Sequence, residues 1–569
     1  MDAKALYMTK PWLKFYPEGV PAEVKIPDGS IPEMFDRVSD KYTNKTALFF
    51  YGKKINYQML RDHADRFATA LVNLGITKGD RVALFLLNCP QFVIAYLGIL
   101  KAGAIVTPIS PVYTSQEVKH QIQDSGAQTI ICQNILYNNV KKTGVEFKNV
   151  ILTDIGEYLP AARKILGKSI LGKVHREMHV PNPKLMKEDN FHQFQALIQK
   201  YQPRPPQIKI EPKNDIASLP YTGGTTGLPK GAILTHYNLI ACHAQSMAFW
   251  NIFKEGHETI ITFLPFYHIY GQVVLMLNAL IKGFTSVLLT TPDMDDILSS
   301  IEDYQATIFY GVPTVFEYLK EYGKTNRVNW KRLKFIGCGA DFLHSSSYMD
   351  WEKRTGTSIS PGYGMTESCA VSHINPMQRT KMDSFGVPIP NLKAAIINPE
   401  GTDFLPPKEV GELIISGPNI MEGYWNRPEE TSKAIIEIDG ERWLRTGDLV
   451  SMDEEGYFYF FDRKRDLIKH KGYSVFAKEV EEVLYGHPQI KAAGVVGVPD
   501  PKTGQIVKAY VVLNAEARSK ISEEEIIKYC QENLAHYKVP QIIEFRGELP
   551  KTDAGKVSRR ELREELEES

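Results

Sequence analysis

Phosphate chemistry is what the most concentrated group of reactive residues in this chain suggests. The segment YTGGTTGLPKG (221–231) packs Thr222, Gly223, Gly224, Thr225, Thr226, Gly227 and Lys230 between a strand-like SLPY and a helix-like HYNLIACHA. A loop of that make-up can wrap backbone N–H groups, hydroxyls and one ammonium around phosphate oxygens. It is not a Walker A loop, because Gly231 follows Lys230 where that loop needs Ser or Thr. Its bland alternative is an ordinary Gly/Thr turn. Asp448, in T-G-D at the start of a predicted hairpin, is a short carboxylate able to accept hydrogen bonds from both hydroxyls of a ribose. Glu367, Lys556, Tyr363 and His268 each have an ordinary reading when taken alone: a solvated surface for the first two, core packing for the tyrosine, a satisfied core histidine for the last. No Ser/His/Asp or Cys/His arrangement suggests a competing covalent mechanism.

Further segments follow the phosphate loop in order: LPFYHIYG (264–271), GCGAD (337–341), GYGMTE (362–367), GELIISGPNIMEGYW (411–425), RTGDL (445–449), DRKRDLIKHKGY (462–473) and LPKTDAGK (549–556). Together with YTGGTTGLPKG they resemble the motif series of the adenylate-forming superfamily, which includes acyl-CoA synthetases, carrier-protein adenylation domains and firefly luciferases. The Gly223-Gly224 form of the loop is similar to that of bacterial long-chain fatty-acid CoA ligases, and the resemblance spans essentially the whole chain.

The resemblance implies ATP, magnesium and coenzyme A as co-substrates and cofactor of a two-step ligase. It places Thr222 to Gly227, Thr226 included, and Lys230 on phosphates, with Thr366 reaching the α-phosphate and Gly364 and Met365 among the nucleotide-binding residues. Tyr363 would stack on adenine with Gly339 and Ala340 opposite, Glu367 would bind magnesium, and Asp448 with Arg463 would hold the ribose. Lys556 would neutralise the transition state of adenylation. Lys469, Lys471 and Gly472 would serve thioester formation, and Arg465 would be the hinge of a rotating C-terminal domain. His268 and Tyr270 would stand at the acyl pocket with Gln272.

A carboxylate attacking the α-phosphate meets charge repulsion, so cations such as Lys230 and Lys556 are what the chemistry needs. In HIYGQVVLMLNAL polarity falls quickly after His268, and Val273, Val274, Leu275, Met276 and Leu277 offer an apolar lining that rewards added methylenes. The expected substrate is a medium- or long-chain fatty acid. Gln272 and Tyr270 are the reservation, since either could bond a polar tail and support a short, hydroxylated or aromatic acid. A carrier-protein adenylation module is a further alternative, but no G-x-D-S-L-like attachment site follows Lys556. A light-emitting oxygenase and a non-enzymatic binder find no support in the residues.

These residues require a scaffold, and the pattern predicts an α/β fold. Apolar runs (TALFF, RVALFLL, AIVTPI, AQTIIC) alternate with helical patterns from Thr46 to Ile131, and again from Ser218 to about Tyr363 through ETIITFLP, TSVLLT, ATIFYGV and RLKFIGCG. Two α/β lobes with parallel sheets follow. After Phe385, short strands such as the hairpin DLVSMDEEGYFYFFD predict an antiparallel β subdomain. Beyond Asp462 a small mobile α+β domain begins, with a capping box at Ser522 to Glu525. The expected boundary divides residues 1–462, binding ATP and acid, from residues 463–569.

Lys+Arg 67 against Asp+Glu 67 leaves no global field for nucleic acid, and small molecules are the expected partners. Six scattered cysteines without a C-x-x-C pair suit a cytoplasmic chain with reduced thiols. Val82 to Val106 is too interrupted to span a bilayer. Residues 158–176 combine an apolar stripe with Arg163, Lys164, Lys168, Lys173 and Arg176, the pattern of a peripheral membrane helix or of a helix on the protein's own core. Oligomeric state stays open, a homodimer included.

Overall fold

In the computed structural model, residues 2–160, 189–222, 229–341, 343, 345–471, 473–514, 521–551 and 557–567 are described. Gly223, Gly224, Thr225, Thr226, Gly227, Gly472 and Lys556 therefore lie outside the described residues, as does most of the 158–176 segment. Only its first residues are described. There Tyr158 is buried and bonded through its hydroxyl to His63 Nδ1 at 3.0 Å.

The alternation of apolar runs and helices produces the expected α/β fold in the larger of two compact units, Trp12–Lys393 with Ile415–Leu444. One sheet runs Leu234–Thr235, Ile216–Ser218, Ile105–Pro108, Arg81–Phe85, Thr129–Gln133, Asn149–Thr153, Phe191–Gln193, and every pair but the first is parallel. Its strands are near-continuous apolar runs because helices cover them. The helix Pro90–Lys101 is buried at every residue, which explains the long apolar stretch without any membrane. Among the described residues no helix is long and apolar enough to cross a membrane.

Within the larger unit the second sheet runs Ser384–Pro388, His373–Ile374, Ser360–Tyr363, Phe335–Cys338, Ile308–Gly311, Thr259–Thr262, Thr285–Leu288, Thr46–Phe50, Lys53–Asn56. From Ser360–Tyr363 to Thr46–Phe50 it is parallel. Here the structure corrects the sequence reading. Thr46–Phe50 was expected to open the first lobe, yet it pairs with Thr285–Leu288, as in Phe49 opposite Val287. An apolar strand identifies the face it buries, not the sheet that will accept it.

This topology positions the motifs. LPFYHIYG follows the carboxyl end of Thr259–Thr262, GCGAD finishes Phe335–Cys338, and GYGMTE finishes Ser360–Tyr363. All three therefore leave the same edge of one parallel sheet, the edge at which open α/β folds bind ligands.

The smaller unit comprises Met1–Pro11, Ala394–Ile414 and Arg445–Ser569. It contains the expected hairpin, with Met452 opposite Phe458. It also holds a five-stranded sheet in which Tyr473–Phe476, Leu467–His470, Gly504–Leu513 and Ile490–Asp500 are successive neighbours and Ile542–Phe545 adds to Gly504–Leu513. Helices Ala477–Tyr485 and Glu523–Asn533 close its apolar core around Val480, Leu484, Val507 and Ile526. The capping box at Ser522 forms in full, Glu525 N–H donating to Ser522 and Ser522 N–H to the Glu525 carboxylate. All six cysteines are buried free thiols.

Gly386, in the strand Ser384–Pro388, adopts φ 98°, and a Cβ there would stand 2.2 Å from the Ile374 carbonyl carbon. Gly386→Ala should therefore lose about 2 kcal/mol of stability or more. Chemical denaturation followed by tryptophan fluorescence checks this, and an unchanged midpoint would contradict the close approach.

Candidate active site

The GYGMTE loop is a tight turn that its glycine makes feasible. A Cβ on Gly364 would fall 1.9 Å from the Ala370 carbonyl oxygen, a closeness no other residue tolerates. The turn is tied by Ala370 N–H to Met365 O at 3.0 Å and by Met365 N–H to Ser368 Oγ at 3.1 Å. A short 3-10 turn, Thr366–Ser368, then carries Glu367 inward, where it is buried. Tyr363, half-buried, packs its ring against Phe385 at 4.6 Å between centroids. Met365 and Thr366 are likewise half-buried.

At the end of the adjacent strand, Gly339 donates to Gly311 O at 3.3 Å, and Ala340 takes a left-handed φ of 70°. A Cβ on Gly339 would meet the Tyr270 ring at 3.2 Å, so the glycine brings backbone and ring together. Tyr270 opens a π-helix, Tyr270–Leu277, a rare form that concentrates at functional sites. Gly271 permits it, since a Cβ there would clash with Pro265 O at 2.2 Å.

His268 stands just before this helix and is exposed, which overturns the core-histidine alternative. Its Nδ1 accepts from Tyr270 N–H at 3.2 Å, a bond that requires the tautomer with the proton on Nε2. Val273, Val274, Leu275, Met276 and Leu277 are all buried. Gln272 is fully buried, accepting from Ser218 Oγ at 3.2 Å and donating to Phe266 O at 3.4 Å.

The phosphate loop is bracketed by a two-stranded ladder in which Thr222 pairs with Lys230 and Tyr221 with Gly231. Side chains of helix Ser115–Ser125 hold its base. Tyr221 OH donates to Asp124 Oδ2 at 2.7 Å, Arg427 pairs with the other Asp124 oxygen, and His120 Nε2 donates to Pro229 O at 2.9 Å.

A second chain segment is stitched to the same base. Trp425 N–H donates to Gly231 O at 2.8 Å, Ile233 N–H to Gly423 O at 2.9 Å and Glu422 N–H to Ile233 O at 3.0 Å. This places the ring of Tyr424 below Lys230, whose Nζ lies 4.5 Å from the ring centroid, while Tyr424 OH donates to Glu367 Oε1 at 2.7 Å. Burial and then the Glu367 charge hold the Tyr424 phenol above its ordinary range, so it remains a donor. Sequence reasoning missed Tyr424, Asp124 and Arg427. Tyr424 lies within a quoted motif, but no spacing rule links it to a lysine 194 positions earlier.

In the smaller unit, Asp448 sits directly opposite Arg463 across the hairpin, with Arg463 Nε 3.4 Å from Asp448 Oδ1. Gly447 at φ 69° turns the strand there, and Thr446 Oγ1 accepts from Asp448 N–H at 3.1 Å. Asp448 is buried and the Arg463 head is half-exposed. Arg465 lies in a single 3-10 turn, Lys464–Asp466, with its Nε 3.5 Å from Asp466 Oδ1. Lys469, on strand Leu467–His470, and Lys471, at φ 49°, are both exposed. Thus the larger unit brings Thr222, Lys230, Glu367 and Tyr424 together, and the smaller unit carries Asp448, Arg463, Arg465, Lys469 and Lys471.

Residues 35–425 match the family described as AMP-binding enzyme, and residues 479–556 match the AMP-binding enzyme C-terminal domain. A long-chain-fatty-acid--CoA ligase of Bacillus subtilis (strain 168) is 39% identical over 565 residues, covering 98% of this chain and 99% of that protein. A feruloyl-CoA synthase of Amycolatopsis sp is 31% identical, covering 94% and 98%. The crystal structure of ATP-bound MatB from Rhodopseudomonas palustris matches with a TM-score of 0.81 at 27% identity, covering 94% of this chain and 99% of that one.

The paired Asp448 and Arg463 generate a prediction. Asp448→Ala should weaken ATP binding by about 1.5–3 kcal/mol, the value of charge-assisted hydrogen bonds to ribose hydroxyls. Calorimetric titration with ATP measures it, and an unchanged affinity would remove Asp448 from the nucleotide site.

Proposed function

The chain belongs to the AMP-binding enzyme family, and from that premise we propose that it is a fatty-acid--CoA ligase acting on medium- or long-chain acids. In the first step a carboxylate oxygen attacks the α-phosphorus of ATP, the bond to the bridging oxygen breaks, and acyl-AMP and pyrophosphate result. In the second the CoA sulfur attacks the acyl carbon, the thiol proton is lost, and AMP leaves to give acyl-CoA.

The observation that carries the substrate class is the likeness, over almost the whole of both chains, to a ligase named for long-chain fatty acids. An exposed imidazole followed by five buried apolar residues supports it. The likeness to a feruloyl-CoA synthase supports a second reading, an aromatic acid.

In this reading Lys230 and the loop it closes hold the phosphates, with Thr226 among the loop hydroxyls, and Tyr363 with Gly339 and Ala340 flanks the adenine. Asp448 and Arg463 take the ribose, and Nε2–H of His268 orients the attacking carboxylate. Glu367 is a hard oxygen donor, and magnesium is commonly held by one or two such carboxylates together with substrate phosphates and water. When bound, that ion neutralises phosphate charge. Lys556 meets the charge that develops in adenylation, and Lys469, Lys471 and Gly472 serve thioester formation, with Arg465 as the hinge.

Two tests follow. Lys556→Ala should abolish acyl-AMP formation, whereas Lys469→Ala should spare it and slow thioester synthesis; equal loss of ATP–pyrophosphate exchange in both variants would refute this division of labour. Across acetate, butyrate, octanoate, palmitate and ferulate, kcat/KM should rise with chain length, each methylene adding about 0.8 kcal/mol of binding until the pocket is full. A maximum at ferulate or at a four-carbon acid would overturn the fatty-acid assignment and leave the ligase chemistry standing.

A further inference from the structure

Tyr424 touches both of the charged side chains that the phosphate site depends on. We propose that it is a positioning residue, one ring that orders Lys230 over its face and Glu367 at its rim. The proposal rests on the ATP reading above.

The geometry is specific. The Lys230 ammonium lies 4.5 Å from the ring centroid, where the negative face of an aromatic attracts a cation. The phenol of the same ring donates to Glu367 Oε1 at 2.7 Å. Both partners offered by Tyr424 are neutral, a π face for the cation and a hydroxyl for the anion. Held in this way, the ammonium and the carboxylate are each oriented by a neutral group.

The ring is itself fixed. Tyr424 N–H donates to Thr431 Oγ1 at 2.9 Å, and Tyr424 forms a bridge with Ala232, two residues beyond Lys230. Gly423 takes φ 155°, and a Cβ there would press on Thr431 Cγ2 at 2.7 Å. The platform is thus built on the strand that continues from Lys230, so the two cannot drift apart independently. The same stitching ties it to the Glu367 side, through Met421 N–H donating to Glu367 O at 2.9 Å.

Tyr424→Phe and Tyr424→Leu separate the two contacts. Phe keeps the ring beneath Lys230 and removes only the hydrogen bond to Glu367. Leu removes both. Calorimetry gives ATP affinity without divalent metal, and electron paramagnetic resonance gives uptake of Mn2+, a stand-in for magnesium, by the protein–ATP complex.

The Phe variant should hold metal-free ATP within about twofold of the parent and take up Mn2+ about tenfold more weakly. The Leu variant should lose, in addition, about three- to thirtyfold in metal-free ATP affinity. A cycle with Lys230→Met completes the test. If Tyr424 acts through Lys230, removing both should cost no more ATP affinity than removing Lys230 alone. Parent-like Mn2+ uptake by the Phe variant, parent-like ATP affinity in the Leu variant, or fully additive losses in the cycle would overturn the proposal. A parent protein that binds no ATP would instead overturn the proposed function.

Discussion

Electrostatic repulsion between two anions sets the terms for this molecule. A fatty-acid carboxylate has to reach the α-phosphorus of a polyphosphate, and unit charges of like sign 4 Å apart repel by about 1 kcal/mol in water and about 4 at the effective dielectric of a protein. A protein can meet that only with fixed positive charge and oriented N–H groups in place before the substrates arrive. Lys230 is the described residue most closely tied to this demand. Its position is set by a ladder with Thr222, by the Tyr424 ring and by the Asp124 anchor at the loop base. The larger unit's parallel sheet releases three further motifs from one edge.

The smaller unit meets a related problem, that of keeping a charge-rich segment ordered. Arg559 reaches Asp462 at 2.7 Å, Asp466 at 3.2 Å and also Glu481, while Arg563 reaches Asp466 at 2.7 Å. Burial alone would raise the Asp466 pKa, yet Arg559, Arg563 and Arg465 together hold it below the ordinary carboxylate range. The turn containing Arg465 is thereby pinned to the helix Arg559–Glu567 by charges that compensate one another within the unit. Breaking one member of such a network leaves its partners uncompensated, which is why its cost exceeds that of an exposed pair.

Much of this was legible in the sequence because it is local. The strands of both lobes, the hairpin after Leu449, the Ser522 capping box and the motif order each depend on a few adjacent residues. What could not be read depends on pairing across long separations. Thr46–Phe50 carries no mark that it will join Thr285–Leu288. Tyr424 carries none that it will lie beneath Lys230, and Gln272 none that its amide will bond to Ser218 and Phe266.

The most direct test of the reaction follows an oxygen atom. Palmitate carrying 18O in both carboxylate positions is incubated with the protein, ATP and CoA, and the AMP is analysed by mass spectrometry. Attack of the carboxylate on the α-phosphorus, followed by thiol attack on the acyl carbon, leaves one 18O in each AMP formed. AMP without label, or label appearing in inorganic phosphate alongside ADP, would contradict an acyl-adenylate intermediate and with it the central claim.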